Sequence, residues 1–284
     1  MAGAGNLIGG NRLTGLYLLK SCYNTIQGNW IGTRSDGVSP LANGESGIDC
    51  DTGSTNNLIG GGPGAGNWIA YAPAPYAGLR VRNTTLNNRI TSNAIFANGA
   101  LGIDLGPLGV TFNDPCDADA GANNLQNFPL LAGAVGGDSA WVRGTLNSTA
   151  NSSYLVQFFA NAACDSSGYG QGQVYLGEAT VNSGADCKGE FLVNLPVSVP
   201  VGWVLSATAT DSAGDTSEFS PCIPVGPVPA LALSVSRAHQ VNLVWTNSAS
   251  GFALYQTPSL AAPVHWRAVT NLPVVADGRF TVSL

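Results

Sequence analysis

The sequence predicts an all-β protein, with a parallel solenoid first, an antiparallel β-sandwich next and a small β module last. Glycine and proline account for 37 and 16 of the 284 residues. The chain also contains 25 asparagines but only 2 lysines, a balance that supplies turns rather than helices. Short strand-like segments recur at regular intervals in the first 112 residues, which is typical of a repeat architecture.

Composition and charge exclude several classes of protein. With 44% hydrophobic and 10% charged residues, the chain is not intrinsically disordered. It has no apolar run near 18 residues, so we expect no membrane span. The net charge of −6 argues against a nucleic-acid partner. The first five residues do not resemble a secretion signal, which predicts a mature or truncated chain.

Two elements alternate in the predicted solenoid. Residues 6–10 (NLIGG) return as residues 57–61, and residues 28–31 (GNWI) return as residues 66–69. A second element, glycine followed by a short apolar strand, begins at Gly15, Gly47, Gly78 and Gly102. Each interval predicts one coil. We expect Asn24, Asn57 and Asn88 to stack at equivalent turns, each side-chain amide bonding the next coil, in the left-handed backbone that asparagine tolerates.

Three stretches carry a resemblance to a known family: residues 24–32 (NTIQGNWIG), residues 102–106 (GIDLG) and residues 113–129 (NDPCDADAGANNLQNFP). They resemble the right-handed parallel β-helix repeat proteins found among bacterial secreted and surface proteins. The resemblance covers roughly residues 1–223. It implies a right-handed parallel β-helix over residues 1–112, an Asp-rich junction loop over residues 113–129, and a secreted or cell-surface location. Because the chain opens inside a repeat, we expect N-terminal coils to be missing.

Longer alternating segments follow the repeats. They predict strands at residues 141–146, 154–160, 174–179, 191–195 and 204–210. Regular short strands separated by turn residues favour an antiparallel immunoglobulin-like β-sandwich over residues 130–223. A stiff linker is predicted at residues 224–230. Residues 231–284 predict a small, partial C-terminal β module, with strands at 231–235, 241–245 and 252–256.

One column of the predicted solenoid carries charge. The residues that point outward from successive strands are Tyr17, Asp49, Arg80 and Asp104. This column has two interpretations. It is either an exposed ladder of alternating charge or a catalytic site like that of β-helix polysaccharide lyases. In those enzymes, which the chain resembles only in architecture, carboxylates hold calcium and a basic side chain removes a proton. The second interpretation makes Asp49, Arg80 and Asp104 the catalytic candidates.

The predicted junction is rich in oxygen ligands. Asp117, Asp119 and Asn123 alternate around a glycine, and Asn113 and Asp114 lie just upstream. Hard oxygen ligands at this spacing predict a structural Ca²⁺ site. Position 12 counted from Asp117 is a phenylalanine rather than the glutamate of an EF-hand loop. The alternative is an Asx-turn loop whose carboxylates cap backbone N–H groups.

Six cysteines in a chain that is poor in lysine and rich in Asn, Thr and Ser suggest an oxidising compartment. Their spacing contains no CxxC motif, so neither a zinc site nor a redox motif is predicted. Cys22 and Cys50 are predicted to be small buried hydrophobes. Among the other four, the first predicted disulfide is Cys164–Cys187 and the second is Cys116–Cys222, out of three possible connectivities.

Motifs for catalysis are weak. The two histidines, His239 and His265, lie far in sequence from the aspartate clusters, and there is no nucleophile elbow. Trp30 and Trp68 predict packing in the core or at corners, with a sugar platform as the alternative. Tyr169 lies in a glycine-rich loop and predicts a simple loop residue, with an exposed sugar-stacking contact as the alternative. Two hypotheses remain. The first is a non-enzymatic protein that binds polysaccharide or the cell envelope, and the second is a calcium-dependent carbohydrate-active or ester-bond hydrolase or lyase. The oligomeric state is not predicted.

Overall fold

A computed structural model of the chain describes residues 5–235, 241–246, 254–261 and 263–283. The protein is all-β, with both parallel and antiparallel sheets, as the composition predicts. His239 and the first residues of the strand predicted at 252–256 lie outside the described residues. Within the described residues, no helix is long and apolar enough to cross a membrane.

Residues 7–105 form three parallel sheets. Sheet A contains β1 (Leu7–Ile8), β4 (Trp30–Ile31), β7 (Trp68–Ala70) and β10 (Ala94–Phe96). Sheet B contains β2 (Leu16–Leu19), β5 (Ile48–Asp51), β8 (Leu79–Val81) and β11 (Ile103–Leu105). Sheet C contains β3 (Thr25–Ile26), β6 (Leu58–Gly60) and β9 (Arg89–Thr91). The chain visits A, B and C in turn, so each strand pairs with its equivalent one coil later.

The core of this region is a set of stacked aliphatic columns. In sheet A, Ile31, Ile69 and Ile95 occupy equivalent positions and are at most 1% exposed. Equivalent columns from sheets B and C face the same interior. Since each strand contributes only two to four residues, stability must come from repetition of these buried contacts along the stack.

Asparagine ladders hold the corners between the sheets. Asn24 donates its backbone N–H and its side-chain amide to Asn57 Oδ1, at 2.9 and 2.8 Å, and Asn57 Nδ2 donates to Asn88 Oδ1 at 2.8 Å. The predicted stack is therefore confirmed. The left-handed residue, however, is the one before each ladder asparagine, as at Tyr23 with φ 59° and Asn56 with φ 58°. The ladder asparagines Asn24, Asn57 and Asn88 do not have positive φ angles. In Asn24 the backbone N–H and the side-chain amide both reach the next coil.

A second ladder runs beside sheet A through Asn6, Asn29, Asn67 and Asn93. Each of the first three donates its N–H and side-chain amide to the Oδ1 of the next, at 2.8 to 3.0 Å. Asn67 is fully buried. These bonds satisfy polar groups that would otherwise be buried without partners.

Residues from beyond the repeats close one end of the stack. Gln157 Oε1 accepts the N–H of Ser92 at 2.9 Å, and Gln171 Oε1 accepts the N–H of Asn98 at 3.1 Å. The rings of Phe159 and Phe219 cover the end of the apolar core. The second half of the chain therefore acts as the cap of the first.

Seven strands form the next sheet: β12 (Leu130–Gly136), β13 (Ala140–Asn147), β14 (Ser153–Asn161), β15 (Val174–Asn182), β16 (Lys188–Leu195), β17 (Val204–Thr210) and β18 (Ile223–Pro227). Their order is β15-β14-β17-β18-β12-β13-β16. Every pair is antiparallel except β12 with β18. Both halves of the sheet contribute to one core, as Val142 and Phe158 show. The segment predicted as a linker at residues 224–230 thus begins as a paired strand.

The last strands are β19 (Ala232–Val235), β20 (Val241–Thr246), β21 (Tyr255–Gln256), β22 (Arg267–Ala268), β23 (Val274–Ala276) and β24 (Arg279–Ser283). Four of them form an antiparallel sheet in the order β19-β20-β24-β23, and β21 pairs with β22. Trp245 and Phe280 stack at 5.5 Å in its small core. The strands predicted at 231–235 and 241–245 match β19 and β20 closely.

The structure contains two disulfides, Cys116–Cys187 and Cys164–Cys222. Both predicted pairings are therefore wrong. The error has a physical cause, because proximity in sequence was a poor guide to proximity in the fold. The end of β13 faces the start of β16, where Asn147 pairs with Lys188, and this places Cys187 beside the junction loop.

The positions of the other four cysteines also depend on the fold. The N–H of Cys222 donates to Gly168 O at 3.0 Å, which brings the glycine-rich loop and Cys164 to the start of β18. Cys50 is buried as predicted, whereas Cys22 is exposed. Cys22 lies in a turn, where its thiol contacts Gly53 O at 3.1 Å, rather than in a core column.

We expect substitution of an asparagine inside a ladder to lower the free energy of unfolding far more than substitution of the first asparagine of the ladder. Asn67→Ala removes the acceptor of Asn29 N–H and the donor to Ile26 O, and leaving buried polar groups unpaired costs about 1–3 kcal/mol each. Urea unfolding should show a loss of about 3 kcal/mol. Asn6→Ala, which removes one side-chain bond at an exposed position, should cost less than about 1 kcal/mol. Equal losses would contradict this account of the ladders.

Candidate functional site

The charged column lies on sheet B in the predicted register. Tyr17 pairs with Asp49, Asp49 with Arg80, and Arg80 with Asp104. Asp49 and Asp104 are only 4% and 1% exposed. The interpretation as an exposed ladder is therefore wrong. The column is covered because Arg82 lies against Asp49 and because the loop after β11 reaches back, with Gly109 N–H 3.3 Å from Asp104 Oδ2.

The ion pairs of this face involve a basic residue that the sequence prediction did not choose. Arg82 Nε is 2.9 Å from Asp49 Oδ1, and Arg82 Nη2 is 3.0 Å from Asp51 Oδ2. Tyr17 donates its hydroxyl to Asp51 at 2.7 Å, and this bond lowers the pKa of Asp51 to about 2. The arginine thus joins two carboxylates of the neighbouring strand and offsets part of their negative charge.

Arg80 has no such partner. Its Nε atom and Asp104 Oδ1 are both buried, and neither has a hydrogen-bond partner within the described residues. Burial raises the pKa of Asp104 to about 6 and also raises the pKa of Asp49. The structure places the three catalytic candidates in one column but does not join Arg80 to either carboxylate by an ion pair. A catalytic group must reach its substrate, and although Arg80 itself is partly exposed, Asp49 and Asp104 on either side of it are buried.

A further carboxyl group, Glu218, was missed from the sequence. Its two oxygens accept the N–H of Leu105 at 2.9 Å and the N–H of Thr111 at 3.0 Å. Burial raises its pKa to about 8, with the charge of Asp104 adding to the shift. Glu218 lies 113 residues after Leu105, so only the fold brings it to the end of sheet B. The one sequence signal was a charged residue inside the polar segment at residues 216–220.

Three of the predicted metal ligands come together at the junction. The side chains of Asp114, Asp117 and Asp119 each offer an oxygen within 4.8 Å of the others. Asn113 is used elsewhere, since its amide bonds both the N–H and the carbonyl of Phe128 at 3.0 and 2.8 Å. Asn123 is fully buried and ends an asparagine ladder, with Oδ1 accepting from Asn88 N–H at 3.1 Å. The candidate metal cluster is therefore three aspartates.

Asp117 is the most enclosed member of the cluster. It accepts hydrogen bonds from Asn127 N–H at 2.9 Å, from Gln126 Nε2 at 2.7 Å and from the Ser148 hydroxyl. Burial nevertheless raises its pKa to about 6, and desolvation together with the charge of Asp114 raises the pKa of Asp119. Among the described residues, none of the three carboxylates has a basic ion-pair partner. Hydrogen bonds from N–H groups, such as that of Ala118 to Asp114 Oδ2 at 3.1 Å, stabilise these carboxylates as the Asx-turn alternative predicts, but no basic side chain balances their charge.

Sheet A carries an outward aromatic surface. Leu7, Trp30, Trp68 and Ala94 form one outward column. The rings of Trp30 and Trp68 stack with centroids 5.8 Å apart and planes at 18°, and Trp68 is 38% exposed. Packing of these tryptophans in the core is wrong, because the isoleucines beside them fill the interior. Packing at a corner stays a prediction, beside the sugar platform.

A cavity of about 400 Å³ adjoins this surface. Tyr71 and Phe96 line it, with ring centroids 6.0 Å apart and an edge-to-face arrangement. Its opposite wall is the loop between β14 and β15, which supplies Asp165 and Gln173. Tyr169 of that loop is half-buried against Phe128, at 5.6 Å, so it is not the exposed sugar contact considered from sequence. We call Trp30, Trp68, Tyr71 and Phe96 the aromatic surface.

A larger cavity of about 600 Å³ lies on the outer face of the seven-stranded sheet. Trp141, Phe191 and Tyr255 line it, and Arg143 and Glu190 are its charged residues. Trp141 is 40% exposed, which is close to the exposure of Trp68.

No protein-family model matches the chain, and no curated protein matches it either.

Glu218 predicts an unusual pH dependence of stability. The native state keeps its proton up to about pH 8, whereas the unfolded chain releases it near pH 4.3. Between these values the native state binds more protons, so the free energy of unfolding should fall as pH rises. Urea unfolding at intervals from about pH 5 to about pH 8 measures this slope.

Glu218→Gln is the control for that slope, since it cannot titrate. We expect the variant to lose most of the fall in stability over this range, whatever its stability at a single pH. A variant with the same slope as the natural sequence would show that another group titrates there.

Proposed function

We propose that this protein is a secreted or cell-surface polysaccharide-binding protein, built on a right-handed parallel β-helix followed by an immunoglobulin-like sandwich and a partial C-terminal β module. Three sheets visited in cyclic order, with asparagine ladders at their corners, support the β-helix. The shared core of the seven-stranded sheet supports the sandwich. Two disulfides favour an oxidising location outside the cell. The motif at residues 113–129 supports membership of the β-helix repeat family that it resembles.

The aromatic surface carries the proposed function. Trp30 and Trp68 repeat at the same position in consecutive coils, which gives a periodic platform along the stack. Each pyranose ring has an apolar face of C–H groups and an edge of hydroxyl groups. Aromatic rings match the face, and amide or carboxylate side chains such as Gln173 and Asp165 match the edge. A repeating polymer can follow such a surface from the tryptophans to the cavity beside Tyr71.

The charge of the chain indicates which polysaccharides fit. The net charge is −6, and among the described residues that line the cavity beside the aromatic surface only Asp165 carries a charged group, a carboxylate. Acidic polymers would be repelled at low salt. We therefore propose a neutral polysaccharide as the ligand.

The catalytic alternative has less support. It requires Asp49, Arg80 and Asp104 to reach a substrate, yet both aspartates are buried and Asp49 is engaged by Arg82. A ligand would have to displace this ion pair and the loop beside Asp104. We therefore assign this face a structural role in the proposed function.

We also propose Ca²⁺ as a structural ligand of the junction, held by Asp114, Asp117 and Asp119. Calcium takes six to eight oxygen ligands and favours carboxylates. The fit rests on three mutually close carboxylates without a basic partner. A bound cation would relieve their repulsion and stiffen the loop that connects the two halves of the chain.

The aromatic surface is tested by Trp68→Ala. Loss of one stacking ring should weaken binding at least about 10-fold, which corresponds to about 1.4 kcal/mol. Affinity electrophoresis against hydroxyethyl cellulose, mannan and polygalacturonate measures the change and compares neutral with acidic polymers. We expect retardation by at least one neutral polymer and none by polygalacturonate.

Trp141→Ala is the matched control, because this tryptophan is equally exposed but lies in the other cavity. Its affinity should stay within about twofold of the natural sequence. If Trp141→Ala abolishes binding and Trp68→Ala does not, the binding site is the larger cavity. If no polymer binds at all, the proposed function is wrong.

Calcium at the junction is tested by thermal unfolding with CaCl₂ or with EDTA. Ligand that binds only the native state raises Tm by mass action, so the natural sequence should melt higher in calcium. Asp119→Ala should melt at the same temperature in both conditions. In EDTA it should be at least as stable as the natural sequence, because it removes a repelling charge.

Asp186→Ala serves as the control here, since Asp186 is an exposed aspartate outside the cluster. It should retain the full calcium response. Identical melting of the natural sequence in CaCl₂ and EDTA would contradict the calcium site.

A further inference from the structure

The cavity of about 400 Å³ beside the aromatic surface is closed on the side of the seven-stranded sheet. Gly172 pairs with Ile95 of β10 as an antiparallel bridge, and their N–H groups donate to each other's carbonyl oxygens at 2.6 and 2.8 Å. The loop that precedes Gly172 supplies Cys164 and Asp165 to the cavity. A polymer that follows the tryptophans towards the last coil therefore meets a wall.

Buried hydrogen bonds hold this wall in place. Gln171 Oε1 accepts both the N–H and the side-chain amide of Asn98, at 3.1 and 3.0 Å, and Asn161 Nδ2 donates to Gln171 O at 2.7 Å. All three side chains are buried. The Cys164–Cys222 disulfide also ties the loop to the start of β18. Because moving the wall aside would leave buried amides unpaired, we expect it to stay in place when a ligand binds.

A hairpin from the repeats forms the second wall. The connection from β4 to β5 is the longest between sheets A and B, and residues 33–40 of it form this hairpin. Val38 lines the cavity, and its carbonyl oxygen accepts the hydroxyl of Tyr71. Gly37 lies so close to Trp68 that a Cβ atom there would be 3.0 Å from the indole Nε1. The hairpin therefore borders both the tryptophan platform and the cavity.

The closed cavity offers polar groups with unused hydrogen-bonding capacity. The side-chain amide of Gln173 makes no hydrogen bond to any described residue, although its N–H donates to Asn161. Each carboxylate oxygen of Asp165 accepts one described hydrogen bond, from Ser167 N–H at 2.9 Å and from Gln171 Nε2 at 3.1 Å, which leaves lone pairs free. A terminal sugar carries a hydroxyl group that every internal sugar has lost to a glycosidic bond. Free donors and acceptors in a closed cavity suit that hydroxyl group.

We propose that this cavity binds the terminal residue of a neutral polysaccharide, so that the protein recognises chain ends rather than chain interiors. The inference rests on the proposed function and adds to it which part of the polymer is bound. Trp30 and Trp68 contact the sugars behind the terminal one, and Gln173 and Asp165 bind its additional hydroxyl group. The wall around Cys164 stops the chain from continuing past the last coil.

Chain length tests this inference. We would shorten hydroxyethyl cellulose and linear mannan by partial acid hydrolysis and compare fractions of one polymer that differ about 10-fold in mean length, at equal mass concentration. Shorter chains carry more ends per mass, so affinity per mass should rise about 10-fold in affinity electrophoresis. Binding with the same affinity per mass at both lengths would overturn chain-end recognition and leave polysaccharide binding intact. If no fraction binds, both proposals are wrong.

Gln173→Ala tests whether the terminal sugar lies in this cavity. Loss of the free amide should weaken binding of the short fraction about 5-fold or more. Gln256→Ala is the matched control, since Gln256 is also exposed but does not line the cavity, and it should bind like the natural sequence. Unchanged affinity in Gln173→Ala, or an equal loss in both variants, would overturn the assignment of the chain end to this cavity.

Discussion

The hydrogen bonds of the asparagine ladders between successive coils are the constraint on which the rest of the structure depends. At each corner the chain turns with few residues, so the backbone N–H groups there must be satisfied across coils rather than within a strand. Asn29 and Asn67 achieve this by donating twice to one Oδ1 atom of the next coil. Because each bond links equivalent positions, the ladders fix the register of all three sheets at once and keep the isoleucine columns aligned.

A ladder of this kind must be ended by something that accepts but does not continue it. Side chains from the second half of the chain serve this purpose, with Gln157, Gln171 and Glu218 each accepting a backbone N–H of the last coil. These bonds span 65 to 113 residues, so they also orient the seven-stranded sheet against the repeats. Burial of Glu218 follows from this role, and its raised pKa is a cost of closing the stack with a carboxyl group.

Repetition made the first half of the fold predictable from sequence, since equivalent residues must occupy equivalent places. The register of the charged column and the stacking of Asn24 on Asn57 both follow from it. What failed depended on contacts between distant segments. Cys187 lies beside Cys116 only because β13 and β16 pair. Likewise, the burial of Asp104 and the presence of Glu218 beside it depend on the loop and cap that fold over sheet B, and no local pattern records these contacts.

Native-state hydrogen exchange of the ladder amides tests the central claim most directly. The backbone N–H groups of Asn29 and Asn67 are donors to the next coil, so they should exchange only through global unfolding and show protection equal to that of the core strands. The N–H of Asn11, which is an exposed residue of the first described coil, should exchange faster through local fraying. Rapid exchange at Asn29 and Asn67 while the isoleucine amides of sheet A stay protected would show that the sheets hold together without the ladders, and would contradict the account.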